Sequence, residues 1–413
     1  MKTYLYPVLL AVLLLSPAAA RVSLPAESSG QAPSSFEPLY PASPPPEIGS
    51  RSAVLVDAAT GTVLFSLNPD LQIPPASLTK LMTIHLALNE IAAGRASADE
   101  VLIPPAESWA QNQAPHSSLM FLGRDQRLSL GELLLGLAVP SGNDAATAVA
   151  LRFAPSVEAF VSRMNAEAVI LGLSSTRFAE PAGISEDNTT TAMDFARFCS
   201  FYIAGHPEAL VLLHSVEEFS YPLAINMLSS ARAPTIVQNN HNPLLGRFDG
   251  VDGLKTGYIP EAGYNIAVTA ERGETRLLAV ILGADSEDRR AADGEALLSW
   301  GFDNFKTIRP AAGGLPWARI WKGKENYAEL EIEGDTVITV SKYRAGILSW
   351  ETDINAGLQA PLPKGFPAGT ITLRDETGIL LRAPLLLKNP APKGGFWRSL
   401  FDSIGLFFFR LGK

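Results

Sequence analysis

The chain has 413 residues, 47% of them apolar, and a formal net charge of −9. That length supports a large core and two or three domains, and the acidic balance argues against nucleic acid as a partner. The single cysteine, Cys199, excludes an intramolecular disulfide and a cysteine-based metal site.

In chain order, the first segment reads as an export signal, placing the protein in the periplasm or another extracytoplasmic space. Lys2 precedes an apolar run at 8–15, and Ala18-Ala19-Ala20 has the small-residue form of a cleavage site, so residues 1–20 are expected to be removed. Residues 21–50 are rich in Pro and Ser and read as a linker. Runs at 52–57 and 62–67, joined by Ala58-Ala59-Thr60-Gly61, predict a β-hairpin. From Ser77 to Ala93 the apolar residues Leu78, Leu81, Met82, Ile84, Leu86, Leu88 and Ile91 keep helical spacing, and Gly94 ends the pattern. Further helices are expected over 128–139, 144–153 and 157–171, with a tight turn at Pro140-Ser141-Gly142-Asn143. Cys199 falls in an apolar helical run and reads as core. Strands are expected at 253–256, 265–270 and 276–282, then a closing helix over 289–305. Strands at both ends with helices between predict one α/β (α+β) domain over 51–307, its sheet assembled from distant segments. Short alternating runs at 328–332, 336–340 and 370–374 predict a small all-β domain over 308–388.

Residues 389–413 read as a linker followed by a helix. Its apolar positions 396, 397, 400, 401, 404, 407, 408 and 411 make one stripe, with Arg398, Asp402 and Arg410 off it. The segment is too short and too charged to span a bilayer, so an amphipathic helix lying in a membrane surface is expected over 396–413.

Candidate chemistry centres on Ser77 and Lys80. A serine hydroxyl is a poor nucleophile until a base takes its proton. Residues three apart at a helix start share a face, so the amine reaches the hydroxyl. A lysine becomes a base only if burial or a neighbouring cation lowers its pKa, and Lys255 is a candidate for that cation. Ser-x-x-Lys alone describes a capped helix equally well. The conjunction carries the reading: Ser77–Lys80 opens a helix, Ser141-Gly142-Asn143 sits in a turn, and Lys255-Thr256-Gly257 lies on a strand.

At these residues the chain resembles the low-molecular-mass penicillin-binding proteins, specifically the serine-type D-alanyl-D-alanine carboxypeptidases of peptidase family S11. The resemblance is carried by Pro75-Ala76-Ser77-Leu78-Thr79-Lys80-Leu81-Met82-Thr83, Ser141-Gly142-Asn143-Asp144-Ala145, Met164-Asn165-Ala166-Glu167-Ala168, Asp252-Gly253-Leu254-Lys255-Thr256-Gly257-Tyr258 and Ala262-Gly263-Tyr264-Asn265. It implies a β-lactamase/transpeptidase-like domain with an antiparallel sheet flanked by helices, followed by the all-β domain and the amphipathic helix. It also implies removal of the terminal D-alanine from peptidoglycan stem pentapeptides, acylation by β-lactams, and no cofactor or metal. The implied catalytic residues are Ser77, Lys80 and Ser141. Asn143, Lys255, Thr256, Gly257 and Tyr258 would bind substrate, with the backbone N–H groups of Ser77 and Tyr258 as the oxyanion hole.

Three positions depart from the family pattern. Ile259 stands where many members carry a threonine. Asn240-His241-Asn242-Pro243-Leu244 places His241 where they carry arginine, which predicts weaker or pH-dependent carboxylate binding. Gly183-Ile184 and the run from Asn188 to Ala192 differ from the usual motif and are placed outside the core site. Trp109 and Phe121 read as core, and His85 as packed or solvent-facing. The rival readings are a β-lactamase, for which Glu180 and Glu186 stand in the wrong context, a D,D-endopeptidase, and a non-catalytic wall-binding protein.

Overall fold

The computed structural model describes residues 41–228, 233–309, 314–334, 336–344, 346–375 and 378–411. The export signal expected over 1–20 and the linker up to residue 40 lie outside the described residues. Strands β1 (Ser52–Asp57) and β2 (Val63–Leu67) form the expected hairpin. Late in the domain come β3 (Val251–Ile259), β4 (Gly263–Arg272) and β5 (Thr275–Ala284). The five make one antiparallel sheet in the order β2-β1-β5-β4-β3, so the two ends of the domain meet where β1 pairs with β5. Both faces of that centre are covered, which is why β5 is almost continuously apolar. Val54, Val56, Leu278, Val280 and Leu282 join the helical core. The alternate residues Leu55 and Leu277 meet Gly301 of helix α6 (Glu287–Asn304), where a Cβ would crowd both.

Among the described residues, the longer helices that accompany the sheet are α1 (Lys80–Ala92), α2 (Leu130–Ala138), α3 (Asn143–Phe153), α4 (Val157–Ile170), α5 (Ala192–Gly205) and α6. A 3-10 turn, Ala76–Thr79, precedes α1, so Ser77 lies just ahead of the α-helix proper. Ser129 and Glu132 form a capping box on α2, and the Ser156 and Thr191 side chains cap α4 and α5. Cys199 is fully buried in α5, as expected. Residues 43–50 lie along α6: the Trp300 indole donates to the Ser43 carbonyl at 3.0 Å, and Ser50 Oγ donates to Asp293 at 2.5 Å.

The C-terminal sheet contains β6 (Leu330–Ile332), β7 (Ser349–Ile354), β8 (Pro367–Asp375) and β9 (Gly378–Leu387), antiparallel in the order β6-β9-β8-β7. The run expected at 336–340 is instead recruited away from that sheet: Ile338–Ser341 pairs with Phe305–Ile308. Buried Asp57 fixes this junction, accepting from Thr307 Oγ1 at 2.6 Å and Thr339 Oγ1 at 2.8 Å. The last helix, α7 (Phe396–Leu411), docks on the C-terminal domain through Leu406, Gly405 against Trp321, and Asp402, which accepts from the Lys322 amide. Its apolar stripe remains exposed from Phe396 to Leu411. Among the described residues no helix is long and apolar enough to cross a membrane.

Candidate active site

Ser77 and Lys80 are brought together by the turn into α1. Lys80 Nζ lies 2.9 Å from Ser77 Oγ and donates to the Ala182 carbonyl at 2.5 Å. Lys80 is wholly buried, and burial pulls its pKa down to about 7; the carboxylates of Glu180 and Asp144 oppose that fall. The amine is thus poised to be neutral near physiological pH.

The Ala182 carbonyl is presented by a loop wound around one carboxylate. Glu180 accepts the backbone N–H groups of Ala182 at 2.7 Å, Gly183 at 2.6 Å and Ile184 at 2.7 Å, and the Asn188 amide at 2.7 Å. Gly183 adopts φ +85°, and a Cβ there would overlap the Ala76 carbonyl. Gly183 and Ile184 line the cleft, so their placement outside the core site is corrected. The loop is ordered by one glutamate rather than by a periodic pattern, which leaves no sequence signal for its destination.

Ser141 and Asn143 stand across the cleft. Ser141 holds φ +61°, a conformation that non-glycine residues adopt rarely and often at functional sites. Ser141 Oγ and Asn143 Oδ1 are buried with no hydrogen-bond partner among the described residues. Unpaired buried polar atoms are uncommon in a folded core, and here they line the cleft, ready for a ligand. Asp144 anchors this wall, accepting the amides of Met120, Leu122 and Ala145 at 2.8, 2.9 and 2.9 Å. This arrangement also corrects Phe121: with both flanking amides held inward, Met120 and Leu122 fill the core and Phe121 turns out to solvent at φ +72°. Trp109 is half-buried and donates to the Pro104 carbonyl at 3.1 Å.

The third wall is β3, an edge strand. Gly257 allows it to touch the nucleophile turn, since a Cβ would lie 2.8 Å from the Ser77 amide nitrogen and 3.0 Å from the Pro75 carbonyl oxygen. Asn265 joins the same turn to the sheet, donating to the Pro74 carbonyl at 2.9 Å. Lys255 is buried, and burial followed by the charges of Lys80 and Arg290 hold it well below the usual lysine range. Tyr258 is half exposed and packs on Tyr264 at 4.3 Å between ring centroids.

The resulting cleft encloses about 620 Å³ and is lined by Ser77, Ser141, Asn143, Thr256, Gly257 and Tyr258, with Lys80 and Lys255 buried behind it. All eight sequence-predicted residues therefore converge. Sequence reasoning missed Arg290, a cation from α6 that also lines the cleft and lies over the Tyr264 ring at 5.7 Å. Its Asp-Arg-Arg context reads as ordinary helix surface. Partial burial and the charges of Lys255, Arg290 and Lys80 hold His241 down to about 4, so it is neutral at pH 7 and Arg290 supplies the positive charge. His85 is buried rather than solvent-facing, with Nδ1 3.0 Å from His206 Nε2.

Residues 40–286 match the family model described as D-alanyl-D-alanine carboxypeptidase, and residues 305–393 match that of the penicillin-binding protein 5 C-terminal domain. D-alanyl-D-alanine carboxypeptidase DacA of Escherichia coli K12 is 32% identical over 370 residues, 88% of this chain and 89% of that protein. The structure of penicillin binding protein 5 from Haemophilus influenzae aligns with a TM-score of 0.71 at 30% identity, covering 85% of this chain and 100% of that one. Penicillin-Binding Protein D2 from Listeria monocytogenes, in a cefotaxime-bound form, aligns with a TM-score of 0.55 at 30% identity, covering 63% of this chain and 100% of that one. The chain belongs to the D-alanyl-D-alanine carboxypeptidase family, peptidase family S11.

Proposed function

We propose that this D-alanyl-D-alanine carboxypeptidase removes the terminal D-alanine of peptidoglycan stem pentapeptides through an acyl-enzyme on Ser77. The observation that carries the reading is the 2.9 Å approach of a buried, pKa-lowered Lys80 to Ser77 Oγ. Ser77 Oγ attacks the carbonyl carbon of the penultimate D-alanine while neutral Lys80 takes its proton. The backbone N–H groups of Ser77 and Tyr258 hold the oxyanion. Ser141 passes a proton to the departing amine, and Asn143 holds the substrate amide. Lys255, Thr256 and Arg290 receive the terminal carboxylate, whose arrival favours the charged form of Lys255. Water then hydrolyses the ester and frees Ser77. A β-lactam offers the same pairing of reactive carbonyl and carboxylate, and the cefotaxime-bound relative supports acylation of this cleft. Glu180 has its oxygens engaged by its own loop, which does not support a β-lactamase-type water activation.

The reading extends to location. The exposed apolar stripe of α7 supports peripheral attachment to the outer face of the cytoplasmic membrane, after export directed by residues 1–20.

Incubation with a muropeptide pentapeptide, followed by mass analysis, should show loss of one D-alanine. Ser77→Ala should abolish both that loss and labelling by a fluorescent penicillin. Undiminished labelling of the variant overturns the Ser77 assignment, and cleavage of cross-linked dimers without release of D-alanine replaces carboxypeptidase by endopeptidase.

A further inference from the structure

Among the described residues, the strand that carries Lys255 has a sheet neighbour on one side only. At its start, two side chains take its carbonyls. Asn242 Nδ2 donates to the Gly253 carbonyl at 3.1 Å, and His214 Nδ1 lies 3.1 Å from the Leu254 carbonyl. His214 is fully buried and closes a five-residue π-helical turn, Leu210–His214, an element found often at functional sites. Its approach requires Gly253, where a Cβ would lie 3.1 Å from the His214 Cβ.

The tautomer follows from the partners. A carbonyl only accepts, so His214 Nδ1 carries the proton, and Nε2 accepts from the Tyr202 hydroxyl at 2.6 Å. Burial, together with the nearby charge of Lys255, holds His214 down to about 3, so the ring is neutral at every working pH. Tyr202 is itself fully buried on α5, near Cys199, Glu208 and His206, and it thereby ties the helical layer to the strand.

We propose that His214 is a positioning residue for acyl transfer: its Nδ1–H holds the Leu254 carbonyl and so fixes the backbone from which Lys255 reaches the Ser77–Lys80 pair. Tyr202 acts one step further out by fixing the imidazole tautomer, as outer partners do for histidines elsewhere. The inference rests on the Ser77 acyl-enzyme reading, which the Ser77→Ala labelling tests separately.

Two amides separate this role from packing. His214→Asn places an amide donor near the Nδ1 position, whereas His214→Gln places it near Nε2; His214→Phe fills the space without either. Acylation rates of the full chain by a fluorescent penicillin are measured from pH 5 to 9, with folding checked by thermal melting. Phe and Gln are expected to lose about tenfold or more, the scale of one misplaced active-site group. Their acid limb should also move to higher pH. Lys255 feels the charge of Lys80 and that repulsion is mutual, so withdrawing Lys255 lets Lys80 keep its proton longer; the carboxylates of Glu180 and Asp144 act on Lys80 itself, Arg290 acts on Lys255, and His241 feels both lysines. Asn should stay within about threefold of the parent, with the parent's limb. Asn falling as far as Phe, or all three matching the parent, overturns the proposal. If the His214 variants do not fold, Tyr202→Phe decides: a slower rate with a raised limb supports the proposal, and a parental rate and profile overturn it.

Discussion

Lys80 Nζ lies 2.9 Å from Ser77 Oγ, with the lysine on the first turn of α1 and the serine in the 3-10 turn before it. The geometry fixes a pH dependence. Only neutral Lys80 accepts the serine proton, and its pKa is pulled down to about 7. Below that value the protonated fraction dominates, so acylation should fall about tenfold per pH unit; above it the rate should level. His241, held at about 4, and His214, held at about 3, are neutral across this window and add no limb there. Rates with a fluorescent penicillin from pH 5 to 9 should show the limb in the parent. Lys80→Arg should lose acylation throughout, because a guanidinium stays protonated. A flat parental profile would remove Lys80 from the proton transfer.

Gly183→Ala should damage both stability and rate. The new methyl would overlap the Ala76 carbonyl at φ +85°, directly behind the nucleophile turn. Steric overpacking costs about 1–3 kcal/mol, to which the left-handed backbone adds about 1–2 kcal/mol for a residue with a Cβ. Displacement of Ser77 should slow acylation by about a hundredfold. Gly172→Ala is the control, since it also has positive φ but meets no atom within 4 Å. Urea unfolding and acylation rates for the pair separate backbone strain from collision with the site.

The contrast between Ser77 and Gly183 explains what the sequence could reveal. Ser77, Lys80, Ser141 and Lys255 are legible because each sits in a local pattern whose spacing has a chemical reason. The hairpin of β1 and β2 and the helices from α1 to α4 are legible from periodicity, their ends shifted by a few residues where caps and 3-10 turns intervene. Gly183, Arg290 and His214 act through tertiary approach instead. Each comes from a segment whose local pattern describes only a loop or a helix surface, and the partner that gives it meaning is distant in the chain. Phe121 faces solvent for a related reason: the Asp144 carboxylate, not hydrophobicity, decides which way residues 120–122 face.

Asp144→Asn tests that anchor. The carboxylate accepts three backbone amides, and Asn143 N donates to the Ser118 carbonyl beside it at 2.8 Å. Burial raises the Asp144 pKa while those amides oppose the rise. An asparagine keeps one acceptor oxygen and turns an NH2 toward donors, leaving buried groups unpaired. A loss of about 2–4 kcal/mol is expected in urea unfolding, from one or two unsatisfied buried groups, together with slower acylation as the Ser141–Asn143 wall loosens. A variant as stable and as fast as the parent would show that residues 118–122 are held by packing alone.

The final helix separates docking from membrane attachment. Asp402 accepts the Lys322 amide at 2.5 Å and pairs with Arg319 at 3.4 Å, while Phe401, Phe407 and Phe408 remain exposed on the stripe. Phe407→Ser with Phe408→Ser should therefore leave the fold intact but weaken binding to anionic lipid vesicles by at least about a hundredfold, because each buried phenyl ring contributes about 1.5–3 kcal/mol. Truncation after Gly395 should abolish vesicle binding. Asp402→Ala should behave in the opposite way, loosening the helix from its domain while sparing membrane affinity. Vesicle co-sedimentation distinguishes these outcomes. Unchanged binding after truncation would reduce α7 to a packing element, since the face contacting Trp321 would then be the one that matters.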